Sequence, residues 1–296
     1  MPVPRPMSQL PNLAYPPLLD VLSLTSTGTD AFAAPTPPST SSRLFGGQLV
    51  AQALRAACLT VPDGYLPYQL HAQFLRPGQP HTSLTLHVSR LHDGRAFITR
   101  QVTAKQDDAC VLALLASFHI GEPGESWQPR HEVGPSPETL PRWPSALDAL
   151  PAACQFDLRP TCPPGSDGTP TLHPLWFRTR ARLPDDPLVH TCVQAFASDF
   201  GLAKSARMRY AEPELFTSSS LDHSVWFHRP ARADDWLLLS TELMSAASSR
   251  HLVHGSLHTS DGALVATVAQ TALVRTRTHG PSPLRRPSLA VPEREG

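Results

Sequence analysis

Three side chains, far apart in the chain, sit where local physics disfavours them, and together they could activate a water molecule. Gln270 interrupts a strand face otherwise made of Leu264, Ala266, Val268, Ala272 and Val274. A buried amide without partners costs about 1–3 kcal/mol, so Gln270 needs hydrogen-bonding neighbours or a wet cavity. Asp199 ends a largely apolar helical segment, just before Phe200-Gly201. A negative charge there opposes the helix dipole by about 0.3–1 kcal/mol. Ser218, Ser219 and Ser220 lie immediately before a predicted strand that carries Asp222 and His223. An acid, a hydroxyl and an amide on three elements can converge on one water. The acid would take a proton, and the hydroxyl and amide would hold the water in line. Spacing alone does not separate this constellation from a solvated aspartate and an ordinary core glutamine.

Other chemistries find less support. The chain has no GxSxG elbow, no P-loop and no GxGxxG. Fourteen histidines invite a metal reading, above all in "HLVHGSLH" at 251–258. No acid or thiol stands at ligand spacing there, so solvated strand histidines and no metal are expected. Acids and bases balance at 25 each, which gives no support to a nucleic-acid or anionic-membrane partner. The five cysteines, at 58, 110, 154, 162 and 192, form no CxxC pair and read as free thiols of a reducing compartment. No run approaches 18 apolar residues, and prolines break up the first 17 positions, so neither a membrane span nor a secretion signal is expected. A cytoplasmic location follows as an expectation.

The elements that must position these residues fall into two similar halves. An irregular segment opens residues 1–125, the first predicted domain. A proline-rich linker is read at 126–170, a second domain at 171–280, and a disordered tail at 281–296. Each half reads as one helix followed by strands. "GGQLVAQALRAACLT" and "PLVHTCVQAFASDFG" carry narrow polar stripes (Gln48, Gln52 and Arg55; Pro187, Thr191, Gln194 and Ser198), so both helices should be buried nearly all round. Gly201 suits a C-cap. "YQLHAQFLRP", "SLTLHVS", "RAFITRQVTAKQ" and "ACVLALLASFHI" read as strands of the first half, the last apolar on both faces and therefore central. "LDHSVWFHRP", "DWLLLSTELMSAA", "SRHLVHGSLHTS" and "GALVATVAQTALVRTR" follow in the second. Arg76-Pro77 and Arg229-Pro230, Asp108 and Asp261, and Ala113 and Ala266 are each separated by 153 positions, which points to a duplicated unit. That offset makes Ser117 the counterpart of Gln270. The pattern implies an α+β protein with two antiparallel sheets, each wrapped around a long central helix.

"LFGGQLVAQAL", "FLRPG", "DGRAFITRQVTAKQ", "ASFHI", "LDHSVWFHRP" and "LVATVAQTALVR", in this order, resemble the acyl-CoA thioesterase II (TesB-like) family over residues 40–120 and 175–276. The resemblance implies a double hotdog fold and hydrolysis of acyl-CoA to fatty acid and CoA without a cofactor. It implies Asp199 in "FASDF", Ser220 two positions before "DH", and Gln270 as the catalytic residues. Ser220 stands where the family often carries Thr. Asp222 and His223 would support them, and Trp226 and Phe227 would pack the flanking core. Arg229 would cap its strand or meet a CoA phosphate. The family also implies a homo-oligomer. A non-catalytic acyl-CoA binding protein and an enoyl-thioester hydratase are the alternatives, although a hydratase would want a histidine beside the helix acid, and "Asp-Phe-Gly" has none.

Overall fold

The structure, a computed structural model, describes residues 15–37, 42–143, 151–161, 173–206, 210, 212 and 215–277. The predicted tail, most of the first 17 residues and Cys162 lie outside them. Strands β1 (Thr25–Gly28), β2 (Ala31–Ala34), β3 (Leu66–Phe74), β4 (Leu84–Asp93), β5 (Phe97–Gln106) and β6 (Ala109–His119) belong to the first half, with helices α1 (Leu18–Val21) and α2 (Gly46–Cys58). The second half has β7 (Phe156–Pro160), β8 (Leu175–Thr179), β9 (Phe216–Ser220), β10 (Asp222–Phe227), β11 (Leu237–Ala247), β12 (Arg250–Thr259) and β13 (Leu264–Thr276), with α3 (Pro187–Ala197) and α4 (Leu202–Ser205).

All neighbouring strands run antiparallel, in the order β1-β2-β4-β5-β6-β3-β10-β13-β12-β11-β8-β7, with β9 also on β13. The two predicted sheets are therefore joined edge to edge through β3 and β10 into one. Inward positions of the central strands are fully buried: Leu70 and Ala72 on β3, Leu112, Leu114 and Ala116 on β6, Val268 and Ala272 on β13. Both long helices lie against this face, and nearly every residue of α2 is buried. Each buried leucine or valine contributes about 1.5–3 kcal/mol.

At the seam His71 pairs with Ser224, its own repeat counterpart, and His71 Nδ1 lies 3.0 Å from Ser224 Oγ. The halves are therefore related by a local two-fold axis through this pair. Ladder register corrects one predicted equivalence. Leu70 pairs with Ala116, and the corresponding neighbours in the second half are His223 and Gln270. Gln270 thus answers to Ala116, not to Ser117. The last strand is slipped by one residue relative to the others, and a one-residue slip exchanges faces. Ser117 points to the outer face, 3.5 Å from the Thr99 hydroxyl.

The narrow polar stripes meet partners for most of their length: Gln48, Gln52, Gln194 and Ser198 are buried, Arg55 and Thr191 are half-buried and Pro187 is exposed. Gln52 Nε2 donates to the carbonyls of Val21 (2.9 Å) and Pro35 (2.7 Å), both in the N-terminal segment. Gln194 Nε2 donates to the Ala231 carbonyl at 2.6 Å. Gly201 does adopt the left-handed conformation, at φ 77°, but α3 ends earlier and Gly201 opens α4. The proline-rich stretch contributes edge strand β7, where Pro160 needs no ladder donor, and it buries Trp143, Ala152 and Phe156 in the core. His251 and His258, expected in solvent, are buried; His258 stacks on His131 with ring centroids 3.6 Å apart. Among the described residues no cluster fit to hold a metal occurs, and no helix is long and apolar enough to cross a membrane.

Candidate active site

Asp199 follows α3, and its position is explained by the other helix. The N-terminus of α2 abuts this end of α3, and the Gly47 N–H donates to Asp199 Oδ2 at 2.8 Å. The charge that opposes the dipole of its own helix faces the positive end of α2. The approach is possible only because positions 46 and 47 lack side chains. A Cβ on Gly47 would lie 2.2 Å from the Phe196 carbonyl oxygen, and one on Gly46 would lie 2.7 Å from Asp199 Oδ2. Phe45 covers the join, with ring centroids 5.2 Å from Phe196 and 5.7 Å from Phe200. Burial pushes the Asp199 carboxyl up to about 7, and the hydrogen bonds from Gly47 and Gln270 reverse only part of that rise.

Ser220 and His223 are three positions apart, so a regular strand would send them to opposite faces. A bulge brings them together. Ser220 pairs with Ala272 on β13, whereas Ser224 pairs with Ala269, one residue out of step. At the kink Asp222 Oδ1 accepts the Thr271 N–H at 2.8 Å, replacing a backbone partner. Both Ser220 and His223 then face Gln270. Gln270 Nε2 donates to Ser220 Oγ at 2.8 Å, and Gln270 is also bonded to the Asp199 carboxylate. A carboxylate only accepts, so the amide NH₂ must face Asp199 and Ser220. Gln270 Oε1 is left to His223 Nδ1 at 2.6 Å. Burial keeps His223 neutral, pulling its pKa down to about 4. A neutral ring has one N–H, and Gln270 Oε1 requires it at Nδ1. Ser198 Oγ has both the Ala195 carbonyl (2.9 Å) and His223 Nε2 (2.8 Å) in reach, and with the ring proton at Nδ1 its single proton turns to Nε2. The chain Ser198–His223–Gln270 fixes which way the amide points.

Asp199, Ser218, Ser219 and Ser220 form part of the wall of a cavity of about 510 Å³. Gln270 and His223 lie behind that wall. Leu44, Phe45, Leu49 and Phe74 add an apolar lining, and Arg43, Arg76 and Lys204 bring three cations against the single carboxylate of Asp199. Arg43 Nη1 also donates to Ser219 Oγ at 2.9 Å, tying the loop before α2 to β9.

A model of acyl-CoA thioesterases matches residues 166–273, and one of the acyl-CoA thioesterase N-terminal domain matches residues 34–119. The rat protein acyl-coenzyme A thioesterase 8 (Rattus norvegicus) is 33% identical over 265 residues, spanning 80% of this chain and 82% of its own. Acyl-CoA thioesterase 2 of Haemophilus influenzae is 30% identical over 253 residues, spanning 79% and 88%. The chain belongs to the acyl-CoA thioesterase family. A crystal structure of an acyl-CoA thioesterase II from Mycobacterium marinum superposes with a TM-score of 0.75 at 34% identity, covering 88% of this chain and 98% of that one. The expected double hotdog is the fold observed.

Within that family framework, the structure brings together all three residues singled out from the sequence, with Asp222 and His223 beside them. It corrects Trp226, which lies on the outer face edge-on to His71 (5.4 Å between ring centroids), while Phe227 does pack against the core. Arg229 is a strand clamp, donating to the Leu264 carbonyl and to Ser126 Oγ, both at 3.0 Å; other cations line the cavity. Sequence reasoning missed the parts played by Gly46, Gly47 and Ser198. The glycine pair ahead of a buried helix was the available signal for the first two. Nothing in the pattern marked Ser198 beyond its place next to Asp199.

Proposed function

We propose that this chain hydrolyses acyl-CoA to a free acid and CoA by direct attack of water on the thioester carbonyl. The observation that carries this reading is the meeting of Asp199, Ser220 and Gln270 at the inner wall of a cavity that is apolar in one part and cationic in another. Asp199 acts as general base. Its pKa near 7 suits it to accept a proton at neutral pH, and such assistance is worth about 10²–10⁴-fold. The attacking water rests between the Asp199 carboxylate and the Ser220 hydroxyl. Gln270 commits its amide protons to those two side chains and acts through them. His223 and Ser198 keep the amide from flipping.

As water attacks, the carbonyl oxygen becomes an oxyanion. First-turn N–H groups of a helix have no partner within their own helix, and Gly46 opens α2 beside Asp199 on the cavity wall. Its N–H is the donor we assign to that oxyanion. The thiolate leaves without a covalent enzyme intermediate. Arg43, Arg76 and Lys204 receive the phosphates of CoA, and the apolar lining receives the acyl chain. A hydratase reading would need His223 on the cavity wall, and it lies behind Gln270 and is held neutral.

The test is free-thiol release from a panel of acyl-CoA thioesters, with hydration of enoyl-CoA followed by absorbance as the control. Thiol release without hydration is expected. Acyl-pantetheine thioesters, which lack the nucleotide phosphates, should show a KM raised about tenfold or more at similar kcat. No thiol release from any thioester, with saturable binding retained, would turn the assignment to a binding protein.

A further inference from the structure

Part of the cavity wall comes from outside the strands and long helices of the two repeats. It comes from the N-terminal segment and the proline-rich stretch: Tyr15, Pro37, Pro151 and Ala152 line it together with Leu49 of α2. None of these carries a charge. Tyr15 is only 6% exposed although it borders the cavity, and it is pinned from two sides. Its hydroxyl donates to Gln48 Oε1 at 2.9 Å, two residues beyond the Gly46 that opens α2. Its carbonyl accepts from Gln155 Nε2 at 2.9 Å. Gln48 leads on to Gln52 at 3.4 Å, and Gln52 to Pro35 and Val21. This buried polar ladder holds the N-terminal segment along the stripe of α2 that a bare repeat would leave in water. Burial also pushes the Tyr15 phenol well above its ordinary range, so the ring stays uncharged.

We infer that Tyr15 is the end-stop of the acyl site: its ring, held by Gln48 on a backbone anchored by Gln155, sets the longest acyl chain the cavity admits. The inference rests on the hydrolase reading above. An aromatic floor rejects a chain that is too long because the ring cannot swing aside without breaking its buried hydrogen bond to Gln48, worth about 1 kcal/mol.

The experiment measures kcat/KM for thiol release across saturated acyl-CoAs of increasing length. Tyr15→Ala should move the cut-off to longer chains. The ratio of long-chain to short-chain kcat/KM should rise about tenfold or more, the discrimination typical of a single methylene in an apolar pocket. Tyr15→Phe keeps the ring but loses the bond to Gln48, so it should move the cut-off in the same direction but less than Tyr15→Ala. Ala152→Leu, on the same wall, should move it to shorter chains, and it serves if Tyr15→Ala does not fold. A folded Tyr15→Ala or Ala152→Leu with the parental length profile overturns the inference while leaving the hydrolase reading intact. Absence of thiol release from every acyl-CoA with the unmodified chain overturns both.

Discussion

Each half of the molecule buries a charged side chain at the C-terminal end of its long helix, Arg100 in the first and Asp199 in the second, and the two are treated in opposite ways. In the first half Arg100 is fully buried beneath the C-terminal end of α2, where a cation is favoured. Each guanidinium N–H finds an acceptor: the Thr60 hydroxyl and carbonyl, the carbonyls of His92 and Thr99, and the Asp93 carboxylate. In the second half Asp199 sits at the C-terminal end of α3, where an anion is disfavoured, and burial raises its pKa. One charge is fully satisfied, and the other is the base of the proposed mechanism. The neighbouring strands follow suit: the first half packs Leu70 against Ala116 where the second sets His223 against Gln270. The side chain at odds with its surroundings lies in the half that holds the proposed site, here the working half, and the satisfied one lies in the scaffold half.

The contrast is broken most directly at Asp199. Asp199→Asn should lower kcat at least about a hundredfold with the fold retained; near-parental turnover would erase the distinction between the two charges. In the parent, kcat should fall about tenfold per pH unit below roughly 7, as the base becomes protonated, and the variant should lose this limb. Stability should respond with the opposite sign. The carboxyl holds its proton more tightly folded than unfolded, so its contribution is full below the ordinary carboxylate pKa and is lost as pH rises through about 7. Asp199→Asn should therefore melt higher than the parent in mildly alkaline buffer.

A second change would make the working half resemble the scaffold. His223→Leu with Gln270→Ala reproduces the Leu70–Ala116 pair. It should fold at least as well, since a buried polar network is exchanged for apolar packing, while kcat falls about 10–100-fold. Circular dichroism and thiol release on one preparation decide it, and unaltered turnover would reduce Gln270 to a core amide. The smallest effect on chemistry is expected at Arg100. Arg100→Leu should cost about 2–4 kcal/mol in denaturant unfolding, because buried carbonyls lose their donors, with kcat per folded molecule unchanged. A drop in kcat larger than the loss of folded protein would mean that the scaffold half takes part in the chemistry.

The sequence made Asp199 and Gln270 conspicuous because each violates a short-range rule, a charge against a dipole and an amide on an apolar face. Arg100 was equally legible, on the face of Ile98, Val102 and Ala104, but sequence reasoning passed over it. What cancels the penalty at Asp199 was not legible, because the Gly47 N–H comes from a helix 152 positions earlier. Nor could alternation place Ser220 beside His223. That depends on a bulge created when Asp222 captures the Thr271 N–H, an interaction across 49 residues. The offset of 153 was right for the seam pair His71 and Ser224 and wrong by one for Gln270, since single-residue slips leave no trace in composition. The end wall was invisible for a further reason: Tyr15 and Ala152 lie in proline-broken stretches with no period to read.

The seam at His71 and Ser224 carries one more implication. Were the two repeats identical and separate, an isologous junction of this kind would present every residue twice, and a reaction centre could exist only as a symmetric pair. Covalent linkage removes that obligation. On the proposed mechanism one copy is free to become filler while the other keeps its reagents, yet that centre still borrows the Gly47 amide from its twin. Neither repeat cut away from the other should retain a trace of turnover.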